Sequence, residues 1–135
     1  MSFSNTAETA VNNQIFVGTA LPWNANTDLW LALYTSDPGE AGSAVTNEIA
    51  YTSYARVALT RASDLTVSGA TVTLANLEQF PACTGAAATA THVGIVTTSS
   101  GAGTLIVSGA LSSSVAVNVG VTPQFQAGAL VFTLD

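Results

Sequence analysis

The chain has 135 residues, of which only 7% are charged, and two basic residues against eight acidic ones give a formal net charge of -6. The two basic residues, Arg56 and Arg61, cannot form the basic patch that binds nucleic acid or anionic lipid, so we predict neither partner. No segment reaches the roughly 18 consecutive apolar residues of a membrane helix, and the N-terminus lacks the features of a signal peptide. We therefore expect the protein to be made in the cytoplasm and to stay soluble.

The scarcity of charge also bears on the surface of the protein. Ordinary domains carry roughly 25% charged residues, so this surface must consist largely of Ser, Thr, Asn and Ala. Large apolar patches are rare on free monomers and mark contacts with partners. The composition therefore favours a homo-oligomer or a protein that works inside a larger assembly.

Residues 4–20 form the one stretch with helical periodicity. Ser4 has the N-cap spacing to Ala7, and Asn5 has the capping-box spacing to Glu8; Gly18 is a typical residue after a helix end. The apolar stripe consists of Ala7, Ala10, Val11, Gln14, Ile15 and Val17. Two interpretations stay open: a short helix packed on the sheet, or an arm that reaches a neighbouring subunit.

A strand from Asp28 to Thr35 is predicted to be the centre of the fold, because both of its faces are largely apolar. The turn that follows, Ser36-Asp37-Pro38-Gly39, begins a long polar connection, residues 36–52. A loop of this length in a compact domain is usually functional or mobile. One face carries Leu29, Leu31, Leu33 and Thr35, and the other carries Trp30, Ala32 and Tyr34.

Further strands follow at short intervals, and Ser68-Gly69-Ala70 has the composition of a hairpin turn. With the central strand they number about eight, which predicts an all-β fold, an antiparallel β-sandwich or small barrel with a short N-terminal helix or arm. The domain organisation is then residues 1–20 as helix or arm and residues 21–135 as a single β-domain. The predicted strands are Tyr51–Arg61, Asp64–Val67, Thr71–Leu77, Thr91–Thr98, Leu105–Leu111, Val115–Val119 and Ala129–Leu134.

No arrangement of residues predicts catalysis, a metal site or a cofactor site. His92 is the only histidine and lies within a predicted strand, and no Gly-x-Ser-x-Gly motif accompanies it. Cys83 follows Pro81-Ala82 and is expected to be a small buried hydrophobe. Asp37, Glu40 and Glu48 form the best carboxylate set, but they lack the alternating spacing of a calcium loop. We predict that the protein is not an enzyme.

An ordered set of motifs resembles a family of small virion proteins of tailed bacteriophages. The resemblance rests on a leucine-rich strand and turn at residues 29–42, a Glu followed by a Ser-Tyr-Ala-Arg strand at residues 48–60, and Thr-His-Val-Gly-Ile at residues 91–95. It also includes Gly18-Thr19-Ala20 and the C-terminal stretch from Phe125 to Asp135. Members of this family are often labelled tail-fibre proteins, and similar proteins look like capsid cement proteins.

The resemblance implies a structural virion component. The leading hypothesis is a capsid decoration (cement) protein that binds the major capsid protein on the outside of the head and braces neighbouring subunits. Analogy with such proteins suggests a homotrimer, and residues 2–20 and 36–52 are the candidate contact regions. The runner-up is a tail, baseplate or tail-fibre component.

Two hypotheses from other classes make predictions about side chains. A carbohydrate-binding module would expose aromatic residues among Trp23, Tyr51 and Tyr54. A small hydrolase would place His92 near a carboxylate and a hydroxyl in a cleft.

Overall fold

The computed structural model describes residues 1–133, and within them the chain forms ten β-strands, one α-helix and one π-helical turn. Most of the strands are short, and the two longest are neighbours in the largest sheet. In chain order the elements are β1 (Ser2–Phe3), α1 (Asn5–Asn12), the π-helical turn (Asn13–Val17), β2 (Asp28–Tyr34), β3 (Val57–Thr60), β4 (Leu65–Ser68), β5 (Thr71–Leu74), β6 (Glu78–Gln79), β7 (Ala88–Val96), β8 (Leu105–Val117), β9 (Gln124–Phe125) and β10 (Val131–Thr133).

The strands form three antiparallel sheets. The largest has the order β1-β8-β7-β2-β3, a second has the order β10-β5-β4, and β6 pairs with β9 alone. The predicted all-β antiparallel fold is confirmed, but the strands of the described residues do not close into a barrel.

Strand β2 lies inside the largest sheet, between β7 and β3, and is buried on both faces in its second half. Leu31 and Leu33 belong to the main hydrophobic core. Ala32 and Tyr34 belong to a second, smaller core on the other face, together with Ala44 from the long loop. The prediction of a central strand is therefore confirmed, and the loop supplies part of what covers its second face.

The main core joins the sheets to the N-terminal helix. Leu74 of β5 and Phe132 of β10 pack in the same cluster as the inward side chains of β2, β7 and β8. Ala7 and Ala10 of α1 belong to that cluster too, so α1 packs on the sheets of its own chain. This agrees with the interpretation of residues 4–20 as a helix on the sheet.

The predicted strand Tyr51–Arg61 is shorter in the structure, where only Val57–Thr60 pairs with β2. Two observations explain the difference. The amide of Tyr54 donates to the carbonyl of Tyr51 in a turn, at 3.0 Å. Ser53 has a φ of 79°, in the left-handed region, which interrupts extended backbone.

The two predicted strands Leu105–Leu111 and Val115–Val119 are one strand, β8, of 13 residues. Its pairing with β7 shifts register between Ala90 and His92, so that the serine-rich residues 111–114 bulge out of the ladder without ending it. The serines that suggested a turn in the sequence therefore lie within a strand.

Other strand boundaries differ by a few residues, as is usual for boundaries. The two-residue strands β1, β6 and β9 were not predicted. The predicted hairpin turn is confirmed, because Ser68 pairs with Thr71 around Gly69-Ala70 and Gly69 has a φ of 60°. The predicted terminal strand is present as Val131–Thr133, and its last predicted residue, Leu134, lies outside the described residues.

The predicted helix over residues 4–20 is regular only from Asn5 to Asn12. Of the two candidate caps, Ser4 is the N-cap, and its hydroxyl accepts from the amide of Ala7. Gly18 ends the helical segment with a φ of 77°, as predicted. Between them the backbone widens into the π-helical turn, so the apolar stripe predicted to continue through Ile15 and Val17 leaves the sheets.

Candidate interaction surfaces

The most exposed apolar side chains of the described residues include three neighbours in the π-helical turn. Ile15 is 64% exposed, Phe16 80% and Val17 71%. Successive residues of a helical turn point roughly 100° apart, so three exposed neighbours mean that most of the turn stands away from the protein. We call Ile15, Phe16 and Val17 the apolar knob.

Hydrogen bonds fix the apolar knob from its two ends. The amide of Leu21 donates to Gln14 Oε1 at 3.1 Å, and the amide of Thr19 donates to the carbonyl of Asn13 at 3.1 Å. Gly18 between them adopts the left-handed conformation that lets the chain turn back. The backbone of the knob is therefore held in one conformation that projects from the protein.

A second apolar surface lies between the largest sheet and the β10-β5-β4 sheet. It is a cleft of about 420 Å³, within the usual range for binding pockets. The one charged residue on its wall, Arg61, donates from Nη1 to the carbonyls of Asn24 and Asn26 at 3.2 and 3.0 Å. We call this surface the apolar cleft; its main lining residues are Leu29, Leu65, Val67, Val72, Ile106 and Phe132.

The loop of residues 36–52, predicted to be a contact region, is attached to the sheet through residues 44–49. The amide of Ile49 donates to the carbonyl of Leu33, and the amide of Thr35 to that of Asn47, both at 2.9 Å. The Tyr34 hydroxyl donates to the carbonyl of Ala44 at 3.2 Å. These bonds hold the loop over the second face of β2.

A buried ion pair fastens the same loop to the sheet. Arg56 Nε and Nη2 each lie 2.7 Å from one oxygen of the Glu48 carboxylate, and the two side chains are 2% and 15% exposed. The guanidinium also donates to the carbonyls of Thr98 and Gly101, both at 2.9 Å. Buried charge is tolerated only when it is paired and hydrogen-bonded in this way.

Tyrosine hydroxyls complete the network. Tyr54 donates to Glu48 Oε1 at 2.9 Å and accepts from the amide of Leu33 at 3.2 Å. Burial raises the pKa of Tyr34 and of Tyr54 far above the usual value, and the negative charge of Glu48 adds to both shifts. The hydrogen bonds to Glu48 raise the pKa of Arg56 further above its already high value. These groups keep one protonation state at all ordinary pH values.

The three carboxylates considered for a calcium loop have separate roles. Glu48 is bound to Arg56, Asp37 accepts from the amide of Gly39 at 2.8 Å, and Glu40 accepts from the Ser2 hydroxyl at 2.8 Å. Residues 1–133 contain no group of three or more side chains able to hold a metal ion.

His92 lies in a shallow depression whose wall also includes Asp37, Glu40 and Ser108. Its Nδ1 is 2.8 Å from the Thr91 hydroxyl. The single ion pair among the described residues is Arg56–Glu48, so the depression holds no histidine–carboxylate pair.

Cys83 is buried, as predicted, with its sulfur directed at the carbonyls of Gly85 and Ala86. The aromatic residues proposed for sugar stacking are also unsuited to that role. Trp23 and Tyr51 are buried, while Tyr54 is half-buried and bound to Glu48. Burial raises the pKa of Tyr51 to about 12.

Phe16 is the one fully exposed aromatic residue in the described part of the chain. Sequence reasoning missed it, because it placed the neighbouring Ile15 and Val17 in an apolar helical stripe and left Phe16 out of that stripe. The signal in the sequence was the run of three apolar residues, which no single helix face can bury.

Comparison with known proteins identifies the family of the chain. No curated protein matches the chain, and in the described residues no helix has the length and apolar character needed to cross a membrane. A family model described as Podophage GP4 fiber I protein gp80 matches residues 2–133. The match covers nearly the whole chain and agrees with the resemblance seen in its motifs. The chain therefore belongs to the family of Podophage GP4 fiber I protein gp80 and is a structural protein of the bacteriophage virion.

Proposed function

We propose that the protein is a subunit of a fibre or fibre base on a tailed-phage virion and is held in place through its apolar knob. The single observation that carries this proposal is the exposure of Ile15, Phe16 and Val17 side by side. Apolar patches of this kind on a soluble protein mark interaction sites. The description of the family, a fiber protein, supports the fibre as the location.

The mechanism is burial of apolar surface between subunits. The knob exposes on the order of 350 Å² of apolar side chain, if a phenylalanine contributes about 200 Å² and its neighbours somewhat less. At about 25 cal/mol per Å² its burial is favourable by several kcal/mol before the cost of association is subtracted. A single contact is therefore weak, and repeated contacts in an assembly supply the strength.

Decoration of the capsid is the second candidate. It is favoured by the element order of residues 1–133, in which no unit repeats in the way that a fibre shaft requires. In this case the knob binds the major capsid protein, and a homotrimer of this chain braces neighbouring capsid subunits.

We also propose that the protein has no catalytic role. His92 contacts the Thr91 hydroxyl but forms no ion pair with a carboxylate that would orient its ring, and Cys83 is buried, so the described residues lack the complete set of nucleophile, base and orienting group. His92→Ala is then expected to leave the incorporation of the protein into particles unchanged. A loss of any hydrolytic activity on this substitution would contradict the proposal.

Immunogold labelling of intact virions with an antibody to this protein distinguishes the two locations. Gold confined to the tail supports a fibre subunit, and gold spread over the head supports capsid decoration. An absence of gold from particles that are detected by an antibody to the major capsid protein would overturn both.

A matched pair of variants then tests the role of the knob. Phe16→Asp should lower the amount of the protein in purified particles at least tenfold, whereas Val119→Asp, at a position 68% exposed on another part of the surface, should not. Equal incorporation of both variants would show that the knob is not the attachment point.

A further inference from the structure

We propose that the apolar knob of one copy inserts into the apolar cleft of the next copy, so that the protein assembles head to tail. The inference deepens the proposed function by naming the partner of the knob, and it rests on the view that the knob is an assembly contact. The two surfaces are different parts of the chain, and none of the three knob residues lines the cleft of its own chain.

The chemistry of the two surfaces is complementary. Residues 9–27, which contain the knob, include no acidic or basic residue. The cleft has one charged residue on its wall, Arg61, and its guanidinium already donates to loop carbonyls. Insertion therefore removes mainly apolar surface from water, and the one guanidinium on the wall keeps its hydrogen bonds to the loop carbonyls.

The shapes are complementary as well. The knob stands out from the protein with Phe16 80% exposed, and the cleft is a concave space of about 420 Å³. Its lip carries Val67, which is 69% exposed, while Phe132 and Ile106 deeper inside are 3% and 8% exposed. An aromatic side chain is the usual anchor for a pocket with an apolar floor and an exposed rim.

The area that one knob buries in one cleft is small, so several contacts, as in a closed ring of copies, are needed for a stable assembly. One knob on one cleft buries several hundred Å² on each partner, below the roughly 1,200 Å² in total that stable interfaces bury. A head-to-tail contact gives every copy both a knob and a cleft to fill, so it generates a ring if the rotation closes and a filament if it does not. Each copy in a ring makes two such contacts, and a ring of three would satisfy the predicted homotrimer.

Cysteine cross-linking tests the contact directly. Because Cys83 is buried at 1% exposure, a Phe16→Cys chain and a Val67→Cys chain each present one accessible thiol. When the two purified chains are mixed and oxidised, a disulfide-linked pair containing one of each is expected to exceed the pairs of like chains at least tenfold. Isotope labelling of one chain identifies the pair by mass spectrometry.

The control replaces the cleft position with one of similar exposure elsewhere. Val119→Cys mixed with Phe16→Cys should give no mixed pair above the level formed in denaturant. Cross-linking only between two Phe16→Cys chains would overturn the proposal in favour of a two-fold knob-to-knob contact. Mixed pairs at the same level with both partners would overturn it in favour of non-specific collision.

Sedimentation of the unmodified protein supplies the second readout. The oligomer should dissociate at least tenfold more readily in Phe16→Asp and in Val67→Asp, but not in Val119→Asp, with circular dichroism confirming that each variant is folded. Monomeric wild-type protein throughout the micromolar range would overturn head-to-tail assembly. If the knob variant still failed to enter virions, that result would leave the proposed function standing while removing the second copy as its partner.

Discussion

The loop of residues 36–52 and the π-helical turn both lie outside the sheets, and they are held in opposite ways. The loop of residues 36–52 is largely polar, yet it contributes Ala44 and Ile49 to buried clusters and is bound by the Arg56–Glu48 ion pair. The π-helical turn has three consecutive apolar residues, yet all three are exposed and only hydrogen bonds at its two ends hold it. Polarity alone therefore does not tell which of two segments is part of the fold and which is presented to a partner.

The contrast depends on which hydrogen-bonding and packing groups of its own chain each segment can reach. The loop crosses the second face of β2, where backbone carbonyls and one carboxylate are available to a guanidinium. The turn comes after α1 has already filled its contacts with Ala7 and Ala10. Three experiments perturb the loop or the turn and a fourth perturbs a charge outside both, from the largest expected effect to the smallest.

Arg56→Met should lower the free energy of unfolding by about 4 kcal/mol, because it leaves the Glu48 carboxylate, only 15% exposed, without its cation. Urea denaturation followed by circular dichroism measures the loss. Arg61→Met is the matched control, since that guanidinium donates to neutral loop carbonyls and forms no ion pair with a carboxylate of the described residues, and it should cost about 1 kcal/mol. Equal losses in the two variants would mean that the ion pair does not fix the loop.

The same substitution can be made once in each segment. Ile49→Ala removes a side chain that is 2% exposed and should cost about 3 kcal/mol. Ile15→Ala removes one that is 64% exposed and should change the free energy of unfolding of the monomer by less than about 0.5 kcal/mol. Unfolding is measured at a protein concentration at which the monomer dominates. A large loss in the second variant would show that the knob packs on its own chain in solution.

Gly18→Ala should cost about 1 kcal/mol, since Gly18 has a φ of 77° and no atom near its missing side chain. Gly120→Ala, at a φ of 85° and equally open, should cost the same. The two variants should differ in self-association, because only Gly18 sets the direction of the knob. Identical sedimentation profiles of the two variants would mean that the backbone conformation at Gly18 does not affect self-association.

Glu78→Gln tests a charge that lies in neither segment and should have the smallest effect. Burial, and then the negative charge of Asp64, raise the pKa of Glu78 above its ordinary value of 4.5. The folded protein thus holds the proton more tightly than the unfolded chain, so stability falls as the pH rises from 4.5 through the raised pKa. The variant should be more stable than wild type at pH 7 by less than about 1 kcal/mol.

Thermal unfolding across this pH range should show the difference shrinking as the pH falls to ~4, where both states carry a protonated Glu78. Glu8→Gln at the exposed first turn of α1 is the control. It should instead cost a few tenths of a kcal/mol at pH 7, because a carboxylate near a helix N-terminus is stabilising. A pH-independent gain in the Glu78 variant would assign its effect to packing.

Several parts of the fold follow from local pattern. Alternation and apolar content placed β2 at the centre of a sheet, and the turn chemistry of Gly69 and Gly18 placed a hairpin and a helix end. These features depend on backbone preferences and on periodicity over a few residues, which a sequence displays directly. The family resemblance likewise rested on the order of such motifs, and the match over residues 2–133 confirmed it.

The sequence by itself thus determined the all-β class, the central strand and the absence of a basic surface. The tertiary structure alone decided that the serines of residues 111–114 stay within a strand, that Arg56 is buried against Glu48, and that Ile15, Phe16 and Val17 face solvent. The reason is that burial depends on which distant surfaces remain uncovered once the sheets have formed. The pairing of Glu48 with Arg56 and the cleft between two sheets both arise when distant segments pack together. No short window of the sequence contains the information on that packing.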